Sequence, residues 1–226
     1  MIPHARRWQI VAGIGSLAIV ACTATGRRTG DQDPQRLVED RELRSSALPA
    51  VRLRVDSAFQ FLGDFEFRIR DIARGKRFVF ADVRADTVVR LVIAQFESIL
   101  LSSGESYRYS FDGVPLRAGM PFRENAFAFS QRAAAIENPQ GEAALTTRFL
   151  ASSGVHLDDE VMSWRFLTVP DSARRHELII FYIEPLAPSG ARLADLYAGD
   201  EATPQWQALA SSLRSRAESA FEVRPW

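Results

Sequence analysis

The sequence predicts an α+β fold: a mainly antiparallel, curved sheet of about seven to eight strands with two helices. Three observations lead to this prediction. Apolar and polar residues alternate over several short stretches, as in half-buried strands. Two nearly continuous apolar runs, 88–93 and 178–183, suit strands that are buried on both faces. A long amphipathic pattern near the C-terminus then predicts a helix packed on the sheet.

The strands are expected at short intervals along the chain. Residues 51–55, 65–69 and 107–111 alternate apolar and polar side chains, and Asp112-Gly113 supplies a turn after the third of them. Residues 88–93 are expected near the centre of the sheet, because both faces of that strand are apolar. Further strands are expected at 77–84, 126–130, 161–169 and 176–184.

Two helices have clear start signals. Asn138 can cap the first, with Pro139 in its first position and Gly154 at its end. Thr203 can cap the C-terminal helix, which Pro204 opens. Its apolar stripe consists of Trp206, Leu209, Ala210, Leu213, Ala217, Ala220 and Phe221. This order of elements is similar to helix-grip and cystatin-like layouts, a likeness of fold that carries no function.

Composition excludes several classes of protein. The chain has 226 residues, 46% of them hydrophobic, which is ample for a packed core and excludes wholesale disorder. Lys and Arg total 28 and Asp and Glu total 28, so no nucleic-acid partner is expected. A single cysteine excludes an internal disulfide framework and a cysteine-based zinc site.

The N-terminus carries the most specific motif. Arg6 and Arg7 precede an uncharged, mostly apolar run over 10–21, as in the charged and apolar regions of an export signal. The run ends in Ile19-Val20-Ala21-Cys22, which resembles the lipobox of bacterial lipoproteins. The resemblance implies that residues 1–21 are removed and that Cys22 is lipidated. The protein would then be anchored in a membrane outside the cytoplasm through its N-terminal lipid.

The residue after Cys22 is Thr23 rather than Asp. In a host with two membranes, the resemblance then implies the outer membrane, with the domain facing the periplasm. Two alternatives stay open, although the apolar run by itself is shorter than the about 20 residues that a membrane-spanning helix needs. One is ordinary cleavage near Ala24, and the other is an uncleaved anchor over 8–24.

The mature chain divides into a tether and one domain. Residues 22–49 form a polar stretch without aromatic residues, interpreted as a tether that either is disordered or holds a loose helix starting at Asp33 and Pro34. All 15 phenylalanines lie between Phe59 and Phe221. The sequence therefore predicts a single α+β domain over 50–226.

Motifs for catalysis and cofactor binding are scarce. The chain has no Gly-x-Ser-x-Gly nucleophile motif and no phosphate-binding glycine loop in the predicted domain, so no catalytic residue and no cofactor are assigned. His156 lies beside Asp158, Asp159 and Glu160, but a metal site needs further convergent ligands, and none is expected. A hydrolase that uses His156 or His176 ranks third among the functions considered.

Aromatic residues offer the best functional candidates. Tyr107, Tyr109, Trp164 and Trp206 could line a pocket between sheet and helix, although such residues more often form plain core. The sequence therefore predicts a non-enzymatic, lipid-anchored protein of the cell envelope whose domain binds an apolar small molecule. The alternative is an interaction or scaffold lipoprotein that binds another envelope protein.

Overall fold

The structure is a computed structural model and describes residues 35–199 and 201–226. The predicted signal peptide, Cys22, Asp33 and Pro34 lie outside the described residues. Two main sheets, two small hairpins and three α-helices make up the described part of the chain. All neighbouring strands in these sheets are antiparallel.

The smaller main sheet contains, in spatial order, β1 (Arg36–Glu39), β2 (Glu42–Ser45), β3 (Val51–Val55) and β14 (Phe221–Pro225). The larger sheet contains β4 (Gln60–Ile69), β5 (Ala73–Arg84), β6 (Thr87–Ile99), β11 (His176–Pro185), β10 (Glu160–Thr168) and β9 (Arg123–Ser130). The hairpins are β7 (Leu116–Arg117) with β8 (Met120–Pro121), and β12 (Tyr197–Ala198) with β13 (Glu201–Ala202). The helices are α1 (Gln131–Glu137), α2 (Glu142–Ser152) and α3 (Pro204–Ala220).

The larger sheet carries a hydrophobic core on each face, because successive side chains of a strand point to opposite sides. The first core joins the larger sheet to the smaller sheet and α3, with Phe80, Ile180 and Leu213 among its fully buried members. The second core lies on the opposite face, where Leu150 of α2 packs against Val79 and the residues around it. Strand β6, whose apolar run predicted a central position, lies in the middle of the sheet beside β11.

Helix α3 begins as the sequence predicts. Thr203 Oγ1 accepts a hydrogen bond from the Trp206 backbone N–H at 3.3 Å, and Pro204 occupies the first turn. Trp206, Leu213 and Ala217 lie buried on the first core. The helix ends at Ala220, and Phe221 starts β14 instead of continuing the helical stripe.

The α+β class and the antiparallel sheet are confirmed, but the finer prediction was wrong. The larger sheet is neither curled nor closed, so α3 does not sit in the grip of one curved sheet. A second sheet covers the same face, and the described strands therefore outnumber the seven or eight expected. A third helix, α1, adds to the two expected, and its N-terminus is capped by Ser130 Oγ, which accepts from Ala133 N–H at 3.0 Å.

Two local predictions also differ from the structure. Asn138 and Pro139 do not open a helix, since Asn138 ends α1 and α2 starts at Glu142. Residues 107–111 form no strand and join no sheet. Their backbone is bound instead by Arg174, which lies between β10 and β11: its carbonyl accepts from Tyr107 N–H at 2.8 Å, and its Nε donates to the Tyr107 carbonyl at 2.6 Å.

The predicted tether overlaps the fold. Residues 36–45 form the hairpin of β1 and β2, which extends the smaller sheet beyond β3. Leu43 of β2 is fully buried in the first core. The apolar residues of this stretch are few. Because alternate residues of a strand point to one face, the hairpin can direct Val38 and Leu43 to the first core. In the structure the domain thus includes residues that the sequence analysis assigned to the tether.

The membrane question has one structural finding. Among the helices in the described ranges, none is both long and apolar enough to cross a membrane.

Candidate functional site

An open recess lies between the start of β9, β10 and the solvent-facing side of α3. Its volume is about 410 Å³. We call it the Trp164 recess; it is lined by Gly113, Val114, Pro115, Phe122, Arg123, Glu124, Trp164 and Arg214. Strand β10 presents Trp164 on the face of the first core, next to Glu124 on the neighbouring strand β9. Val114, Pro115 and Phe122 supply apolar wall around the indole.

Hydrogen bonds and charges hold the indole in place. Trp164 Nε1 donates to Glu124 Oε2 at 3.2 Å. The other carboxylate oxygen of Glu124 accepts from Arg117 Nη2 at 2.8 Å, and Arg214 Nη2 lies 3.4 Å from Oε2. The Arg214 guanidinium also lies 5.6 Å from the centroid of the Trp164 ring. An aromatic surface with a cation beside it is therefore fixed at the recess before any ligand binds.

The four predicted pocket residues do not share one cavity. Trp164 lines the recess, whereas Trp206 is only 5% exposed and packs in the first core with its ring 5.9 Å from that of Tyr197. Tyr107 and Tyr109 lie on the opposite face of the larger sheet, where their stacked rings have centroids 6.0 Å apart. Among the four, the structure thus places Trp164 in a recess and Trp206 in core packing.

A buried ionisable cluster lies beneath Tyr107 and Tyr109, and the sequence analysis missed it. Glu97 of β6 and Glu177 of β11 are directly opposite each other in the paired strands. We refer to five residues together as the carboxylate cluster: Arg77, Gln95, Glu97, Glu142 and Glu177. Glu177 is 2% exposed, and its Oε1 has no hydrogen-bond partner. Like charges in such a place are unfavourable, so the pair favours a protonated state.

The other members of the carboxylate cluster hold Glu97 in place. Arg77 of β5 donates to Gln95, whose amide N–H groups donate to Glu97 and to Glu142 of α2. Arg77 Nη2 also lies 3.2 Å from Glu142 Oε2. From outside, Tyr107 Oη donates to Glu97 Oε2 at 3.0 Å.

Burial shifts the ionisation of the two carboxylates. Desolvation, together with the charge of Glu142, raises the pKa of Glu97 from its ordinary 4.5 to about 7. Desolvation, together with the charge of Glu97, raises the pKa of Glu177 to about 9. Burial likewise raises the pKa of Tyr109 to about 12 and that of Tyr107 further. The pair thus holds protons near neutral pH.

His156 is exposed and His176 is half-buried, and each lies near one aspartate carboxylate. His156 Nε2 is 3.2 Å from Thr87 Oγ1, and His156 Nδ1 is 3.9 Å from Asp86 Oδ1. His176 Nδ1 lies 3.3 Å from Asp171 Oδ2. Neither histidine lines the Trp164 recess, and His176, which precedes Glu177 in β11, points to the opposite face of the sheet.

A second open recess, also of about 410 Å³, lies beside Asp158, Asp159 and Glu160. Two of these carboxylates are already engaged: Asp159 accepts from Ser130 Oγ at 2.9 Å, and Glu160 accepts from Leu193 N–H at 3.0 Å. In the described parts of the chain, no group of three or more His, Cys, Asp or Glu residues could hold a metal ion.

Comparison with known proteins adds no relative: no family model, no curated protein and no solved structure matches the chain.

Proposed function

We propose that the chain is a lipid-anchored extracytoplasmic protein whose α+β domain binds a small, largely apolar ligand in the Trp164 recess. The observation that carries the proposal is the fixed indole of Trp164 at a recess of about 410 Å³ with apolar walls. Ligand pockets typically have volumes of about 300–1,000 Å³ and combine apolar surface with a few placed polar groups.

The surroundings of Trp164 define the chemistry of the ligand. A flat apolar group would stack on the half-buried indole, with Val114 and Pro115 as neighbouring apolar surface. The Arg214 side chain is 48% exposed, so its guanidinium can still donate to a polar or anionic group at the end of such a ligand. Glu124 already binds Arg117 and Trp164, and it acts in positioning the indole.

The anchor places this domain close to a membrane. If Cys22 is lipidated, the described domain starts thirteen residues later, at Gln35. A chain of that length spans at most roughly 45 Å when fully extended. Two or more acyl chains give durable attachment, so the proposed protein stays at the membrane while its recess remains accessible to small molecules.

Mass spectrometry tests both parts of the proposal. The full chain is expressed in a bacterium, extracted from washed membranes in a mild detergent, and measured intact and under native conditions. We expect a denatured mass equal to residues 22–226 plus acyl groups, and a native adduct that denaturation releases. Trp164→Ala should remove the adduct. The matched control is Trp226→Ala, because Trp226 is exposed and does not line the Trp164 recess; the Arg52 guanidinium lies 5.6 Å from its ring.

Separate outcomes contradict the two parts. A chain that retains residues 1–21 without acyl groups contradicts the anchor. An adduct that survives Trp164→Ala, or is lost equally in Trp226→Ala, contradicts the recess as ligand site.

One feature favours the alternative function, binding of another envelope protein. Leu116 directly follows the recess wall at Pro115 and is 68% exposed. Tryptophan and arginine are also typical anchors of protein interfaces. If the native mass carries no adduct, a photo-crosslinker at Leu116 should capture a discrete partner in cells, and Trp164→Ala should abolish that product.

A further inference from the structure

One stretch of chain touches both the carboxylate cluster and the Trp164 recess. We call residues 107–115 the clasp segment. Its first part lies on the second core, where Tyr107 reaches Glu97 and Tyr109 and Phe111 pack. Its last part, Gly113, Val114 and Pro115, forms a wall of the recess on the opposite face of the sheet. A movement of this segment would therefore change the recess.

The clasp segment has few backbone attachments. Arg174 binds its start through the Tyr107 N–H and through the carbonyls of Tyr107 and Tyr109. The Phe122 N–H donates to the Pro115 carbonyl at its end, at 3.0 Å. Between these points the segment pairs with no strand, and alternate residues such as Arg108 and Ser110 are exposed. Segments of this kind open at lower free energy than sheet strands, so the side-chain contact at Glu97 matters for closure.

We propose that Glu97 and Glu177 form a proton-controlled clasp: while protonated they hold the clasp segment on the sheet, and loss of their protons releases it together with one wall of the Trp164 recess. The proposal deepens the proposed function, since it rests on the recess as the ligand site. The state of the clasp itself depends only on whether Glu97 and Glu177 carry protons, which they exchange with water.

The charged groups around the pair explain the direction of this response. Arg77 on β5 and Arg165 on β10 are the cations nearest to Glu97 and Glu177, and Glu142 on α2 is a third carboxylate. When Glu97 and Glu177 are both ionised, two like charges lie directly opposite each other in a region with little water, and the partly exposed Glu142 lies at the edge of that region. On the outer side lie the neutral phenols of Tyr107 and Tyr109. The Arg123 guanidinium is 5.7 Å from the Tyr109 ring, and the Arg174 guanidinium donates to the carbonyls of both tyrosines.

Opening of the clasp segment lowers the energetic cost of ionising Glu97 and Glu177. Displacement of Tyr107 and Tyr109 admits water to Glu97 and Glu177, which solvates the carboxylates. The raised pKa values of both groups, to about 7 and about 9, place the transition between neutral and mildly alkaline pH. Below that range the shared protons remove the repulsion and the segment stays closed.

Hydrogen exchange measured by mass spectrometry tests the proposal on the full chain, without any ligand. The wild type is compared with Glu97→Gln/Glu177→Gln at each pH, so that the intrinsic pH dependence of exchange cancels. At pH 6 we expect equal exchange in residues 107–114. At pH 9 we expect the wild type to exchange at least about tenfold faster than the double variant, which corresponds to one pKa unit of coupling.

The control for this experiment is Glu105→Gln, an exposed acid just before the clasp segment, which should exchange as the wild type does. Equal exchange in wild type and double variant at both pH values overturns the proposal. So does faster exchange that is confined to residues 107–111, because the recess wall would then be uncoupled. Neither result bears on the adduct experiment, which fails or succeeds independently.

A second variant keeps the proposal testable if the double variant does not fold. Tyr107→Phe keeps the ring but removes the hydroxyl that donates to Glu97. We expect this variant to exchange faster than the wild type in residues 107–114 already at pH 6, because the hydrogen bond that holds Tyr107 at Glu97 is lost. Exchange that matches the wild type at every pH overturns the clasp.

Discussion

At the scale of single residues, the two tryptophans of the core face illustrate two roles of one residue type. Trp164 stands half-buried at an open recess, with its N–H bound to Glu124. Trp206 is 5% exposed and packs beside Tyr197 under the first turn of α3. A large aromatic ring in a filled core contributes stability, whereas a half-exposed ring is available to a ligand.

This difference gives a prediction for stability. Trp206→Ala should lower the free energy of unfolding by about 3–5 kcal/mol, because it leaves a large cavity in the first core. Trp164→Ala should cost clearly less, since its ring is half-buried and water can fill the space. Urea unfolding followed by circular dichroism measures both. Equal losses would mean that Trp164 is a core residue and that the recess is incidental.

At the scale of elements, the hairpin of β1 and β2 decides where the domain begins. It extends the smaller sheet, and its strand β2 pairs with β3 over four residue pairs. Leu43 is the fully buried residue through which β2 reaches the first core. The hairpin also brings the fold within thirteen residues of Cys22. If Cys22 carries the proposed lipid, this short stretch limits how far the Trp164 recess can move from a membrane.

The role of the hairpin predicts a specific loss of stability. Leu43→Ala should lower the free energy of unfolding by about 2–5 kcal/mol, as expected for a fully buried leucine. Leu116→Ala is the matched control, since Leu116 is 68% exposed and should change stability by no more than about 0.5 kcal/mol. Thermal or urea unfolding of the two variants distinguishes them. If Leu43→Ala behaves like the control, residues 36–45 act as a tether after all.

At the scale of the whole molecule, buried carboxylates set how stability depends on pH. Folding raises the pKa values of Glu97 and Glu177, so their contribution is full below about pH 4.5 and is lost as the pH rises through about 7 and about 9. Hydrogen bonds from backbone N–H groups lower the pKa values of Asp159 and Asp171 despite partial burial. Their contribution is lost as the pH falls below the ordinary range of aspartate.

These opposing groups predict a protein that is most stable in mildly acidic solution. The free energy of unfolding of the wild type should fall continuously from pH 5 to pH 9. Glu97→Gln/Glu177→Gln should flatten that fall, because neither glutamine ionises. Urea titrations at several pH values measure both curves. Parallel curves for the two proteins would show that other groups determine the alkaline loss.

Much of the fold follows from local patterns in the sequence. Alternation identified β3 and the second half of β4, a continuous apolar run identified β6 as a central strand, and Thr203 with Pro204 identified the start of α3. Residues 107–111 show where this reasoning fails. They alternate like a strand, but a strand needs a free sheet edge beside it, and here the backbone is bound by Arg174 instead.

The sequence by itself determined the secondary structure of the central strands and of α3, the α+β class, and the aromatic residues from which a site could be built. Tertiary structure decided which of those aromatics meet. Trp164 and Trp206 lie on one face of the larger sheet, whereas Tyr107 and Tyr109 lie on the other. It also decided that Glu97 and Glu177 become neighbours, since the register of β6 with β11 joins positions far apart in the chain. Period and capping are local properties, but pairing between distant strands depends on how all elements pack together.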